Sequence, residues 1–130
     1  MKFFSTLLLL LVLLNSSCKK DTPEGGVIKG NKRIIVTVMH HERILSGIKV
    51  YLKYNAHEFP GADSTLYDWN TTSDMSGVAV FDNLFNGNYF LYGKGIDTGI
   101  GLEVIGGGSL AVNDTTTVNN EIYYPLMVTE

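Results

Sequence analysis

Few residues in this chain have the types and spacing that chemistry requires. Cys18 is the only cysteine among 130 residues, which excludes an internal disulfide framework and leaves one thiol for covalent modification. His40-His41-Glu42 and His57-Glu58 are the clusters with metal-ligand residue types. A metal site needs three or four donors converging from one side, whereas neighbours on a strand point to opposite faces. His40 and His41 are therefore expected to stay apart, in a solvent-exposed loop, with no metal bound. Hydrolysis needs a nucleophile, a base and a group that orients the base, and no Ser or His is marked by such company. Gly106-Gly107-Gly108 lacks the Lys-Ser/Thr that follows a phosphate loop and reads as a flexible turn. No enzymatic activity, cofactor or metal is expected.

The segment that would position Cys18 is an export signal. One basic residue, Lys2, precedes an unbroken apolar run from Leu7 to Leu14, and Asn15-Ser16-Ser17 supply small and polar residues before the cysteine. The run is too short to cross a hydrocarbon layer of ~30 Å, which takes roughly 20 apolar helical residues. With Lys19-Lys20-Asp21 following, Ser16-Ser17-Cys18 resembles the lipobox of bacterial lipoproteins, in which a dedicated peptidase cuts before a diacylated cysteine. The resemblance implies a signal peptide over residues 1–17, forming a signal helix, and lipid, with palmitate among its chains, on Cys18. It also implies an envelope location, with the outer membrane favoured. Stable anchoring takes at least two acyl chains, which such a lipid group supplies. A buried free thiol is the alternative fate of a lone cysteine, but Cys18 lies far from any strand pattern.

Composition narrows the partners. The formal net charge is −3; Lys2 is the one basic residue of the signal, so its removal takes the mature chain to −4. A mildly acidic chain without a Lys/Arg stripe cannot offset phosphates, and no nucleic acid partner is expected. Residues 18–31 are rich in charge, Pro and Gly and carry few apolar side chains, as in a flexible tether. Residues 32–130 have the length of one domain.

Within that domain the hydrophobic period is two. Ile34, Val36 and Val38 form an apolar face, and Ile48, Val50, Leu52 and Tyr54 alternate with Lys49, Tyr51 and Lys53. A long loop is expected from Asn55 to Asn70, with room for a short strand around Ser64 to Trp69. Asp74 and Gly77 mark a turn into the next strand. Ala79 and Phe81 share a face, Leu84 turns inward, Asn86-Gly87-Asn88 suits a tight turn, and Tyr89 to Tyr92 returns. Further on, glycines from Gly93 to Gly108 are expected to weaken the strands, and a last pair, Ser109–Val112 with Thr115–Leu126, closes the pattern. Helical periodicity is absent, so six to eight short strands in an all-β sandwich are expected.

Residues 72 to 91 read as Asp-x-x-Gly-x-Ala-x-Phe-x-x-Leu-x-x-Gly-x-Tyr-x-Leu, from Asp74 to Leu91. This pattern resembles the carboxypeptidase-regulatory-like and collagen-adhesin B-repeat families, and Gly47 to Val50 is similar to the entry of their second strand. The resemblance covers roughly residues 33 to 95. It implies a transthyretin-like (prealbumin-like) seven-stranded β-sandwich, with Ala79, Phe81, Leu84, Tyr89 and Leu91 in the core and Asp74, Gly77 and Gly87 in turns, none of them catalytic. Some relatives close an isopeptide bond between a first-strand Lys and a last-strand Asn; here the first strand is expected to offer Thr37 and Val38 rather than an inward Lys.

If Tyr89 and Leu91 point inward, Phe90 and Tyr92 must point outward, with Val78, Val80 and Tyr51 on outer faces and Tyr67 and Trp69 in the adjacent loop. Trp69, Tyr67, Phe90, Tyr92 and Tyr51 are thus the candidate binding surface, since exposed apolar patches mark such surfaces. The competing outcome is that the loop from 55 to 70, or the C-terminal segment, folds over this face. The expected function is a non-catalytic, lipid-anchored envelope protein that binds a partner or serves as an accessory module of a surface complex. The alternative is a carbohydrate-binding module that stacks its aromatic residues on sugars; a small hydrolase is the remotest option.

Overall fold

Alternating apolar residues leave one face of each strand needing cover, and two stacked sheets provide it for both at once. The computed structural model describes residues 29–130, so the signal, Cys18 and most of the expected tether lie outside the described residues. Eight strands follow in order: β1 (Lys32–His40), β2 (Arg43–Ile44), β3 (Lys49–Tyr54), β4 (Trp69–Thr72), β5 (Val78–Leu84), β6 (Gly87–Asp97), β7 (Leu102–Val112) and β8 (Glu121–Met127). In one sheet β1 is central, antiparallel to β5 and β2 and parallel to β8. The other has the order β4-β3-β6-β7, antiparallel throughout. Since β2 is a two-residue return, seven longer strands build the all-β sandwich that the sequence pattern implied.

The core lies between the sheets. Ile34, Val36 and Val38 of β1 face Val50 and Leu52 of β3 and Leu91 of β6 across it, with Phe81, Val104 and Leu126, all fully buried. Each such side chain contributes about 1.5–3 kcal/mol by leaving water. The Asp74–Gly77 turn is closed as its residues suggest: Asp74 Oδ1 accepts from the Ser76 and Val78 amides at 2.8 and 2.9 Å, and Gly77 has φ +75°, which a side chain would strain.

Five segments differ from expectation. A 3-10 turn occupies Ser64–Leu66, capped by Asp63, and the strand begins only at Trp69. It is delayed because the Asp68 side chain turns back to accept the Tyr54 amide at 2.8 Å. The tight turn after Leu84 sits at Phe85-Asn86, and Gly87 already belongs to β6. The glycines do not interrupt β6 or β7, which run for eleven residues each; they let neighbours approach. A Cβ on Gly106 would stand 2.0 Å from the Met127 carbonyl oxygen, and one on Gly108 would stand 1.9 Å from Tyr124 Oη. Nor does the last strand pair with Ser109–Val112. Residues 113–120 cross to the other sheet, with Asn119 and Asn120 in left-handed conformations, and deliver β8 alongside β1. The end of the expected tether is already docked, because the Gly30 amide donates to the Asn83 carbonyl at 3.1 Å.

Candidate functional site

Cross-strand partners share a face of the sheet, and this rule divides the five aromatic residues expected to form one surface. Tyr51 pairs with Tyr92 on the outer face of the β3–β6 ladder. Tyr67, from the 55–68 loop, stacks on Tyr92 with ring centroids 5.8 Å apart and leans on Tyr51 at 5.5 Å. Phe59, from the same loop, covers Tyr92 at 5.2 Å and Phe90 at 5.9 Å. Phe90 and Tyr92 do point outward, yet they are only 7% and 3% exposed. The loop folds over the outer face, so Tyr51, Tyr67, Phe90 and Tyr92 form a second small core rather than an open patch. Burial beside Tyr92 pushes the Tyr67 phenol up to about 12, and its hydroxyl donates to the Gly61 carbonyl at 2.8 Å.

Trp69 stands apart from them. Its register partner is the core residue Leu52, and its ring meets Phe81 edge-on at 5.2 Å, so it faces the interior at the open end of the sandwich. There the sheets part into a cleft of about 480 Å³ lined by Tyr54, Trp69, Phe85 and Tyr89, with Leu84 at its base and Lys29, Asn55, Asp82, Asn83 and Asn86 around it. Tyr54 meets Tyr89 edge-to-face at 5.8 Å, and Tyr89 Oη donates to the Phe85 carbonyl at 2.6 Å; burial raises the Tyr89 pKa. Trp69, Tyr54 and Phe85 keep 36%, 41% and 52% of their surfaces in solvent. A second, polar hollow of about 250 Å³ shares Asp82 and Asn83 and adds Asn31, Asn119 and Asn120. Of the cleft's rings only Trp69 was anticipated. Tyr89 reads from sequence as core, which it is; Tyr54 ends β3 on the face that alternation gave it, and Phe85 reaches the cleft from a turn whose placement alternation does not encode.

The polar residues of β1 also land in unexpected places. Lys32 is an inward lysine on the first strand, 3% exposed, which corrects the expectation that β1 lacks one. Its Nζ donates to Asp114 Oδ1 at 2.6 Å, Asn120 Oδ1 at 2.8 Å and Thr117 Oγ1 at 3.4 Å. All three ammonium donors are engaged, and the Asp114 side chain is 83% exposed, so this is a hydrogen-bonded ion pair rather than a nucleophile promoted by a buried acid. At the other end of β1, His40 is not in a loop but buried in the strand, with Nδ1 2.8 Å from Asp97 Oδ2. That hydrogen bond raises the His40 pKa against the opposing effect of burial. It also leads the causes that lower the Asp97 pKa, joined by the Gly99 amide and Arg43. His57 and Glu58 are exposed in the loop, as expected.

The fold is a two-sheet β-sandwich, and solved structures of pilus subunits contain a similar fold. The chain is similar to the major pilin subunit of Bacillus cereus: the D312A form superposes with a TM-score of 0.53 at 13% identity, covering 78% of this chain and 30% of the pilin. The pilus 2b backbone protein of group B streptococcus gives a TM-score of 0.51 at 16% identity, over 75% of this chain and 40% of that protein. At such identity the likeness extends to the fold alone, and this chain spans well under half the length of either subunit. No family model and no curated protein matches the sequence.

Proposed function

We propose that the chain is a non-catalytic module of the bacterial cell envelope, anchored in the outer membrane by lipid on Cys18, that binds a partner or serves as an accessory structural unit of a surface complex. The aromatic cleft carries this proposal. Three rings stand partly in solvent around a concave apolar floor, and such a surface gains free energy by being covered. The anchor rests on the signal and lipobox pattern before Cys18. Labelled palmitate tests it: incorporation that Cys18→Ser abolishes supports the anchor, and a wild-type chain that takes up no label defeats it.

A glycan partner is the second possibility, favoured by the ring of asparagines at the same end. Aromatic faces pack against the apolar faces of sugar rings, while Asn side chains offer both donors and acceptors to hydroxyls. Trp69, Tyr54 and Phe85 would supply the faces, and Asn55, Asn83 and Asn86 the hydrogen bonds. A glycan array decides between the two: binding lost in Trp69→Ala and Phe85→Ala supports a sugar, whereas no binding, or binding indifferent to both substitutions, leaves a protein partner.

A further inference from the structure

We propose that His40, His41 and Glu130 form a site for one divalent transition-metal ion of the Zn²⁺ class, where the C-terminal segment returns to the end of β1. His40 is the pivot. The buried Asp97 carboxylate accepts from Nδ1 at 2.8 Å and is itself held by the Gly99 amide at 2.9 Å and Arg43 Nη2 at 2.7 Å. A carboxylate on one imidazole nitrogen sets the tautomer and aims the other at a metal. That other nitrogen, Nε2, is buried, and among the described residues its one polar partner is the Glu130 carboxylate. Glu130 Oε2 lies only 2.6 Å away and is its ion-pair partner when the ring is protonated. A proton can bridge that nitrogen and oxygen as an ion pair, and a divalent ion that displaces it would take both atoms as ligands.

His41 completes the set against the rule for adjacent strand residues. It follows the last residue of β1 with φ +48°, a left-handed conformation uncommon for residues other than Gly. This turns its ring beside that of His40, centroids 4.3 Å apart, and puts Nε2 4.0 Å from Glu130 Oε2. The three donor atoms lie within 4.8 Å of one another. Bonds of about 2.0–2.2 Å to a tetrahedral Zn²⁺ put donors about 3.3–3.5 Å apart, so shifts of up to about 1.5 Å in two exposed side chains suffice. The backbone is already in place: the Val128 amide donates to the Met39 carbonyl, and Thr129 pairs with Ile105 through two 2.8 Å hydrogen bonds.

With both imidazoles neutral, as metal ligation requires, the Asp97 and Glu130 carboxylates outnumber the Arg43 guanidinium and attract a cation. Two imidazoles with one carboxylate select Zn²⁺ and its neighbours over Ca²⁺ or Mg²⁺. Three protein ligands leave a fourth position for water, and the bound ion would clamp the C-terminal segment to β1.

The test is calorimetric titration of ZnCl₂ into the chelator-treated full chain carrying Cys18→Ser, which removes the thiol as a competing ligand. One equivalent should bind. His41→Ala and Glu130→Gln, both at exposed side chains, should each weaken binding by more than the about 10–100-fold that loss of a second-shell partner costs, and Asp97→Asn by about that amount. His57→Ala should change nothing. Absence of Zn²⁺ binding, binding that survives both His41→Ala and Glu130→Gln, or binding that depends on His57 would overturn the site.

Discussion

The outer-face aromatic cluster and the end cleft are built from the same residue types, yet they do different work. Around Tyr92, rings from β3, β6 and the 55–68 loop cover one another, and the free energy of their burial is spent on holding the loop down. Around Trp69 the rings come from one sheet and from the turn at Phe85, and Trp69, Tyr54 and Phe85 keep a face in solvent because no segment of the described chain covers them. An aromatic residue on this scaffold is structural where a loop can close over it and available to a ligand where the sheets part.

The sharpest break in that contrast comes from Tyr92→Ala. Removing a ring that is 3% exposed leaves a cavity under Phe59 and Tyr67, and should cost about 3–5 kcal/mol in denaturant unfolding; a loss below ~1 kcal/mol would mean that the loop does not depend on this ring. Phe85→Ala, at a half-exposed position, should stay near the ~0.5 kcal/mol typical of surface substitutions while removing one wall of the cleft. Ligand binding that persists in Phe85→Ala but fails in a folded Tyr92→Phe protein would invert the assignment of the two regions.

A pH titration sharpens the comparison from the structural side. The folded protein retains the Tyr67 proton up to about 12, whereas an ordinary tyrosine releases it near 10.0. The unfolded chain therefore binds fewer protons between these values, and stability intact below pH 10.0 should fall as pH rises towards 12. Phenolate absorbance checks this: Tyr67→Phe should delete a late-titrating component. The smallest effect is expected at the open end, where Asp114→Ala removes the carboxylate partner of Lys32. With Asp114 in solvent and Asn120 and Thr117 still accepting, thermal unfolding should register at most about 1 kcal/mol.

Alternation of apolar residues made β1, β3 and β5 legible, because side chains that must face a core recur at every second position whatever the core turns out to be. The Asp74–Gly77 turn was legible for a similar reason: its hydrogen bonds join residues at most four apart. β7 was not, since glycine signals a bend in isolation, and only the crossing of Met127 and Tyr124 over Gly106 and Gly108 shows that close approach was the requirement. The candidate site was legible in composition and not in arrangement. Trp69 was identified, but its inward aim depends on pairing with Leu52, seventeen residues earlier in the chain.

The sequence by itself determined the period-two strands, their buried faces and the Asp74–Gly77 turn, all of which rest on short-range sterics and hydrogen bonds. Tertiary structure alone decided that the 55–68 loop seals Phe90 and Tyr92, that β8 runs parallel to β1, and that His40 and His41 turn to the same side. Each of these depends on contacts between residues far apart in the chain, or on a backbone conformation such as that of His41 which residue type does not dictate. Alternation can say which side of a strand a residue occupies, but not what will lie against that side.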